Sequence, residues 1–218
     1  MLTKLQQETI NNTACYVQQK LANDYSGHDM AHIERVVHLA KKIQQSEPQS
    51  NEFIIIIAAY LHDVIDDKVI ENVQAARQEL IGFIEQQHVD KNDLQEIMTI
   101  IDNMSFSKNL TEKKSLSLEG KIVQDADRLD AIGAIGIGRT FLYGGKKKHI
   151  MHDPHAMPRN KMSVEDYRQP STVINHFYEK LFLLKDQMNT SMGMQIAQER
   201  HRFLVEFVDR FEQEWLGK

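Results

Sequence analysis

The chain has 218 residues, 41% of them hydrophobic and 26% charged, which is enough for one substantial core and short for two, so a single domain over 1–218 is expected. Aromatic residues at 7%, ten Gly and only four Pro exclude a disordered or low-complexity chain, and a formal charge of -5 argues against a general binder of nucleic acid or membrane surface. The one cysteine, Cys15, excludes an internal disulfide and a Cys-rich zinc module and suits a reducing cytosol.

Apolar residues recur at three- and four-residue spacing almost throughout, and strict alternation is nowhere sustained, so the expected fold is all-α. The predicted helices are Thr3–Ala22, His28–Ser46, Asn51–Ile65, Glu71–His88, Lys91–Met104, Leu118–Tyr143, Thr172–Asn189 and Met194–Trp215. The opening MLTKLQQETINN lacks the apolar stretch and cleavage site of a signal peptide. The longest apolar run, Phe53–Leu61, falls far below the roughly 20 residues of a membrane span, so a cytoplasmic protein is expected.

On the second helix His32 shares a stripe with Val36, Leu39 and Ile43 and so faces the core; His28 lies one turn earlier on the same side, and His38 falls on the polar face. The third helix is apolar around its whole circumference from Phe53 to Ile65 and yet contains His62 and Asp63. A buried His-Asp pair needs a cation or a hydrogen-bond network, because an unpartnered carboxylate in low dielectric costs several kcal/mol. The sixth helix carries QDADRLDAIGAIG, in which Asp130 lies nearest the middle of the apolar face and Asp125 and Asp127 at its edges. Salt bridges to Arg128, Arg35 or Lys121 account for one such acid more easily than for three, and spacing alone does not choose between Asp127 and Asp130.

Between Gly144 and Pro170 the stretch GGKKKHIMHDPHAMPRNK loses helical periodicity and reads as a long basic loop, a common form for a lid; within it SVED, Ser163–Asp166, fits a capping-box start. On the last helix Arg200 falls in the centre of an apolar stripe, an odd place for a guanidinium, and on the helix before it Lys185 lies near the apolar face, where a lysine more often snorkels.

His32, His62, Asp63 and an acid from Asp127 to Asp130 thus form a coherent ligand set drawn from three helices. Two imidazoles and two carboxylates without thiolate suit one divalent transition metal, manganese first, with cobalt, nickel, iron or zinc as alternatives, rather than magnesium. Four protein ligands leave open positions, where an ion lowers the pKa of water and polarises a phosphate oxygen. The spacing His28-Asp-x-x-His32 imitates the H-E-x-x-H of zinc proteases but leaves His62 and Asp63 unexplained. The run GAIGIG, Gly133–Gly138, has no preceding strand and is no dinucleotide loop.

The ordered segments GHDMAHIERV, LHDVIDD and QDADRLDAIGA resemble the HD superfamily of metal-dependent phosphohydrolases. VINHFYEKLFLLKDQMNT and RHRFLVEFVDRFEQEW extend the resemblance to a short, single-domain bacterial subfamily, from about Ser26 to Trp215. It implies an HD-domain helical bundle in which His32, His62, Asp63 and Asp127 are the metal ligands, with Asp130 behind them. It also implies a general acid/base four positions after the HD histidine, at Asp66, with Asp67 as the fallback. The histidines that dinuclear HD oxygenases and cyclic-dinucleotide hydrolases add are absent between Asp63 and Asp127 apart from His88, so a mononuclear site is expected.

The expected function is hydrolysis of a phosphoester or phosphoanhydride in a nucleotide or related small molecule, with nucleoside triphosphate pyrophosphohydrolysis and monophosphatase action both open. Arg128, Lys185 and Arg200 are the candidate phosphate contacts, since the reaction needs cations where charge spreads over oxygens. The competing class is a non-catalytic, metal-containing module that senses a nucleotide. Neither nucleic acid nor membrane is an expected partner, and the sequence does not set the oligomeric state.

Overall fold

The helix that is apolar on every side becomes the axis about which four others pack. In the computed structural model, which describes residues 2–22, 27–65, 72–105, 114–159, 163, 165, 169 and 171–218, the helices are α1 (Lys4–Lys20), α2 (Met30–Gln44), α3 (Glu52–Leu61), α4 (Val73–Gln86), α5 (Lys91–Asn103), α6 (Leu118–Asp130) and α7 (Gly133–Lys146). They are followed by α8 (Val173–Glu179), a 3-10 helix (Leu181–Gln187) and α9 (Ser191–Trp215), and there is no strand among the described residues. The all-α expectation holds. No described helix is long and apolar enough to cross a membrane.

Every side chain from Phe53 to Ala59 is buried, as is Leu61, because α3 is enclosed by α1, α2, α5 and α6. Full burial of a large aliphatic side chain is worth about 1.5–3 kcal/mol, so this ten-residue helix contributes a large share of the core. Its start is fixed at Asn51, whose Oδ1 accepts hydrogen bonds from the amides of Phe53 and Ile54 while its own amide donates to Glu119 Oε1 at 2.8 Å. Against α3 lie Ile33, Val36, Val37, Ala40 and Ile43 of α2 and Ile122, Val123, Ala126 and Leu129 of α6. These three helices also carry the inward histidines and aspartates.

The segment predicted as one helix, Leu118–Tyr143, is two. The chain leaves α6 through Ala131 and an extended Ile132, and Gly133 takes φ +77°, a conformation that glycine adopts without a side-chain penalty. The periodicity of small apolar residues runs on across the corner, so spacing alone reads a single helix. After the corner α7 packs on α8 and α9. Thr172–Asn189 likewise divides, at Lys180, into α8 and a 3-10 helix that buries Leu181 and Leu184 three residues apart.

Asp125 has a structural duty other than a salt bridge to Arg128, Arg35 or Lys121. Fully buried, it accepts hydrogen bonds from the amides of Asn189 and Thr190, from Asn189 Nδ2 and from Thr190 Oγ1, at 2.8–3.0 Å. It thereby anchors the start of α9, where a Cβ on Gly193 would stand 2.5 Å from its Oδ2. Asp125→Ala takes the carboxylate acceptor from the amides of Asn189 and Thr190 and from Thr190 Oγ1, while Asn189 Nδ2 keeps Gln124 Oε1, and is expected to cost about 3–5 kcal/mol in a denaturant titration, with metal content per folded molecule unchanged.

The described part of the basic loop is tied down along α8. The amides of Val173 and Ile174 donate to the carbonyls of Ile150 and Met151, and Asn175 Nδ2 donates to the Ala156 carbonyl. Arg159 grips the buried Glu179 through its amide, Nε and Nη2, which holds that carboxyl below its usual range against the opposing effect of burial. The loop begins three residues later than expected, since α7 runs on to Lys146.

Candidate metal centre

The C-terminal end of α3 points two side chains at α2 and α6. His62 caps that helix, and its Nδ1 donates to the Ala59 carbonyl at 2.8 Å. On α2, His32 is wholly buried, and its Nδ1 lies 2.8 Å from Asp130 Oδ2 at the end of α6. With both Nδ1 positions committed as donors, each ring presents the Nε2 lone pair to the same point, and the two Nε2 atoms stand 3.2 Å apart. Two facing lone pairs at that separation require a proton or a cation between them.

Carboxylates complete the ring of donors. Asp63 Oδ2 is 3.2 Å from His32 Nε2 and Asp63 Oδ1 is 3.5 Å from His62 Nε2, while Asp127 Oδ1 is 3.7 Å and 3.8 Å from the two Nε2 atoms. Atoms bonded to one ion at about 2.1 Å lie roughly 3–4 Å apart, so the spacing and the chemistry of this set fit a divalent metal. Two overlapping groups can hold an ion, His32 with His62 and Asp127, and His28 with His32 and Asp63. His32 is common to both. Its nitrogen can serve one ion, and the second group places His28 Nδ1 against Asp63 Oδ2 at 2.7 Å as a hydrogen-bond partner of that carboxylate.

Asp127 and Asp130 separate by the face of His32 that each meets. Asp127 is partly exposed and on the Nε2 side, whereas Asp130 is buried on the Nδ1 side, where Arg35 and Arg139 also hold it. Burial raises the Asp130 pKa, but the hydrogen bonds from His32 and Arg35 outweigh it and keep the carboxyl far below its ordinary value. Burial opposes ionisation of Asp63 and Asp127 as well, and electrostatic attraction from the surrounding imidazoles overcomes it, holding both carboxyls below their usual range.

Burial lowers the His32 pKa, yet the hydrogen bonds to Asp130 and Asp63 prevail and hold it at about 9. A pKa raised above the ordinary 6.5 stabilises the metal-free fold fully below pH 6.5, and that contribution disappears as pH rises through about 9. Metal competes with this proton for Nε2. The melting temperature of chelated protein is therefore expected to fall between pH 6.5 and 9, while the increment conferred by added manganese grows over the same window.

The remaining sequence candidates fall elsewhere. Arg128 is buried beside Asp127; its Nη1 donates to the Gln187 carbonyl, and its Nε has no partner among the described residues. Arg200 donates from Nη1 to the Leu129 carbonyl, and Lys185 lines a depression with Gln195, Glu199, His201 and Arg202. None of the three joins the donors around His32 and His62. Asp66 and Asp67 lie outside the described residues. Arg139, which the sequence did not single out, is brought by the corner at Gly133 to 3.0 Å from Asp130 and donates from Nε to the Gly27 carbonyl.

The family model for the HD domain matches residues 30–132, the stretch that supplies His32, His62, Asp63, Asp127 and Asp130. A crystal structure from Lactobacillus plantarum is similar over the full length of both chains, with 45% identity and a TM-score of 0.90. An HD-superfamily hydrolase from Bacillus thuringiensis is 41% identical, with a TM-score of 0.75 over 98% of this chain and 100% of that one. YpgQ of Bacillus subtilis is 38% identical over 203 residues, 93% of this chain and 91% of YpgQ. Its structure in complex with ADP aligns over 96% of both chains with a TM-score of 0.78.

Proposed function

From the premise that this chain belongs to the HD domain family and is a metal-dependent phosphohydrolase, we propose that its substrate is a nucleotide, hydrolysed at a phosphoanhydride or phosphoester bond. The observation that carries the reading is that the buried His32 and His62 turn their Nε2 atoms to one point beside two carboxylates, an arrangement that suits one divalent ion. ADP bound to YpgQ, a relative of almost the same length, supports a nucleotide as the ligand class.

His32, His62, Asp63 and Asp127 hold the ion in this reading, and manganese suits their mixed nitrogen and oxygen donors. When bound, the metal supplies a Lewis acid that polarises a phosphate oxygen and makes water acidic enough to attack near neutral pH. The protein's own groups do the rest. Asp130 fixes the His32 ring and Ala59 the His62 ring, so neither nitrogen needs to reorient. Asp66 manages the proton of the attacking water or leaving group, with Asp67 as its substitute, and Arg128, Lys185 and Arg200 meet the phosphates. Arg128 has the clearest capacity among them, since its buried guanidinium keeps an unpartnered Nε among the described residues.

The test is a manganese-supplemented panel of nucleoside mono-, di- and triphosphates, with phosphate and pyrophosphate release measured separately. Pyrophosphate from triphosphates identifies a pyrophosphohydrolase, and phosphate from monophosphates a phosphatase. Asp66→Asn is expected to keep the metal and lower kcat by about 10²-fold, as loss of a general acid/base does; an unchanged rate passes the role to Asp67. Tight nucleotide binding with no turnover on any member of the panel would favour the sensing module over the enzyme.

A further inference from the structure

Behind His32, on the face opposite His62, two guanidiniums converge on one carboxylate and a third lies beside them. Asp130 Oδ1 accepts from Arg35 Nε at 2.7 Å, and its Oδ2 accepts from Arg35 Nη2 and Arg139 Nη1, both at 3.0 Å. Arg200 reaches the same place from α9. Its methylenes cross Gly133 at 3.0–3.3 Å from where a Cβ would stand, so a side chain at that corner would press on Arg200 on its way to Leu129.

The charges here do not balance. Arg35, Arg139 and Arg200 face Asp130, and Asp29 acts on Arg35 from further off. Neutralising Asp130 needs no third cation, and Arg200 makes no ion pair with it; Arg200 feels attraction from Asp130 and repulsion from Arg35 while burial disfavours its charge. Each guanidinium carries five N–H groups. Among the described residues Arg35 commits Nε and Nη2, Arg139 commits Nε and Nη1, and Arg200 commits Nη1 alone. Arg35 and Arg139 keep 33% and 17% of their side chains exposed, so the remaining donors are partly dehydrated yet reachable.

We propose that Arg35, Arg139 and Arg200 form a subsite for a phosphate-type dianion, separated from the metal ligands by the ring of His32. Partly dehydrated, forked donors in excess of their acceptors suit a group with three or more oxygens and two negative charges. Such a group is either the far end of a substrate's polyphosphate chain or a free phosphate or pyrophosphate. The subsite rests on the functional reading above only where the first source is concerned.

The experiment titrates manganese-loaded protein with inorganic phosphate, pyrophosphate and tripolyphosphate. Binding is read by calorimetry at low and high salt, and position by the manganese-induced relaxation of the phosphorus-31 signals. The expected result is salt-sensitive binding in which at least one phosphorus relaxes far more slowly than a phosphate directly on manganese. Arg200→Met is expected to weaken that binding about tenfold or more at unchanged metal content, with Arg200→Lys intermediate. The relaxation and salt measurements need no variant, so a poorly folding Arg200→Met does not leave the matter open.

Kinetics separates the two sources. If the subsite takes the far end of the substrate, Arg200→Met raises KM for a nucleoside triphosphate and not for a monophosphate, and tripolyphosphate competes with the nucleotide. If it takes a free anion, inorganic phosphate binds without competing with the nucleotide; either pattern supports the subsite. Binding unaltered in both Arg200 variants, or phosphorus signals all relaxed as strongly as on direct coordination, overturns it. Failure of every nucleotide to turn over would count against the functional reading and leave the anion-binding result standing.

Discussion

Asp63→Ala is expected to remove bound metal and hydrolysis together. Asp63 stands where three imidazoles meet: Oδ2 is 2.7 Å from His28 Nδ1 and 3.2 Å from His32 Nε2, and Oδ1 is 3.5 Å from His62 Nε2. Without it the two facing Nε2 atoms retain one carboxylate, the partly exposed Asp127, and His28 Nδ1 loses its contact with the Asp63 carboxylate. Metal content measured on purified protein should fall from one equivalent to near zero, and turnover by more than about 10³-fold, because the shift in water pKa that the ion provides is lost. Asp127→Ala should behave alike. Turnover persisting in a demonstrably metal-free Asp63→Ala protein would remove the mechanism, whereas a merely unfolded variant would show itself by circular dichroism.

Asp130→Asn should have the largest effect on stability of any change near the site while sparing the ligands themselves. The carboxylate is buried and receives His32 Nδ1, two nitrogens of Arg35 and one of Arg139. An amide there offers one oxygen and aims an NH2 at cationic donors, so the folded state should lose about 3–5 kcal/mol. His32 also loses the partner that fixes its tautomer, a change that typically costs about 10–100-fold in metal affinity. Hydrolysis should therefore return at high manganese concentration, which distinguishes this residue from Asp63. If excess metal fails to restore turnover in protein that is still folded, Asp130 does more than orient His32.

Most of the helices were legible because burial imposes a period on the sequence, and the apolar belt of Phe53–Leu61 made its His62 and Asp63 conspicuous. Periodicity failed where the backbone turns without a change in composition. Read as one helix, Asp130 and Arg139 would be about 13 Å apart along the axis. The positive φ of Gly133 folds them to 3.0 Å instead, so Arg139 left no signal in the spacing. Nor did spacing separate Asp127 from Asp130, since both face α2 and differ only in the edge of His32 they meet, a matter of side-chain direction. Asp125 was visible as an acid on an apolar face, but its acceptors' role at Asn189 and Thr190 depends on a contact 64 and 65 residues away.

The bond between His32 and Asp130 spans 98 residues of chain. A ligand set so dispersed does not exist until α2, α3 and α6 have docked, so an incoming ion meets no binding site in the unfolded chain or in its early, local helices. The ion consequently acts late. Bound metal is therefore expected to leave the rate of folding unchanged and to slow unfolding, lengthening the lifetime of the native state more than its equilibrium gain alone suggests.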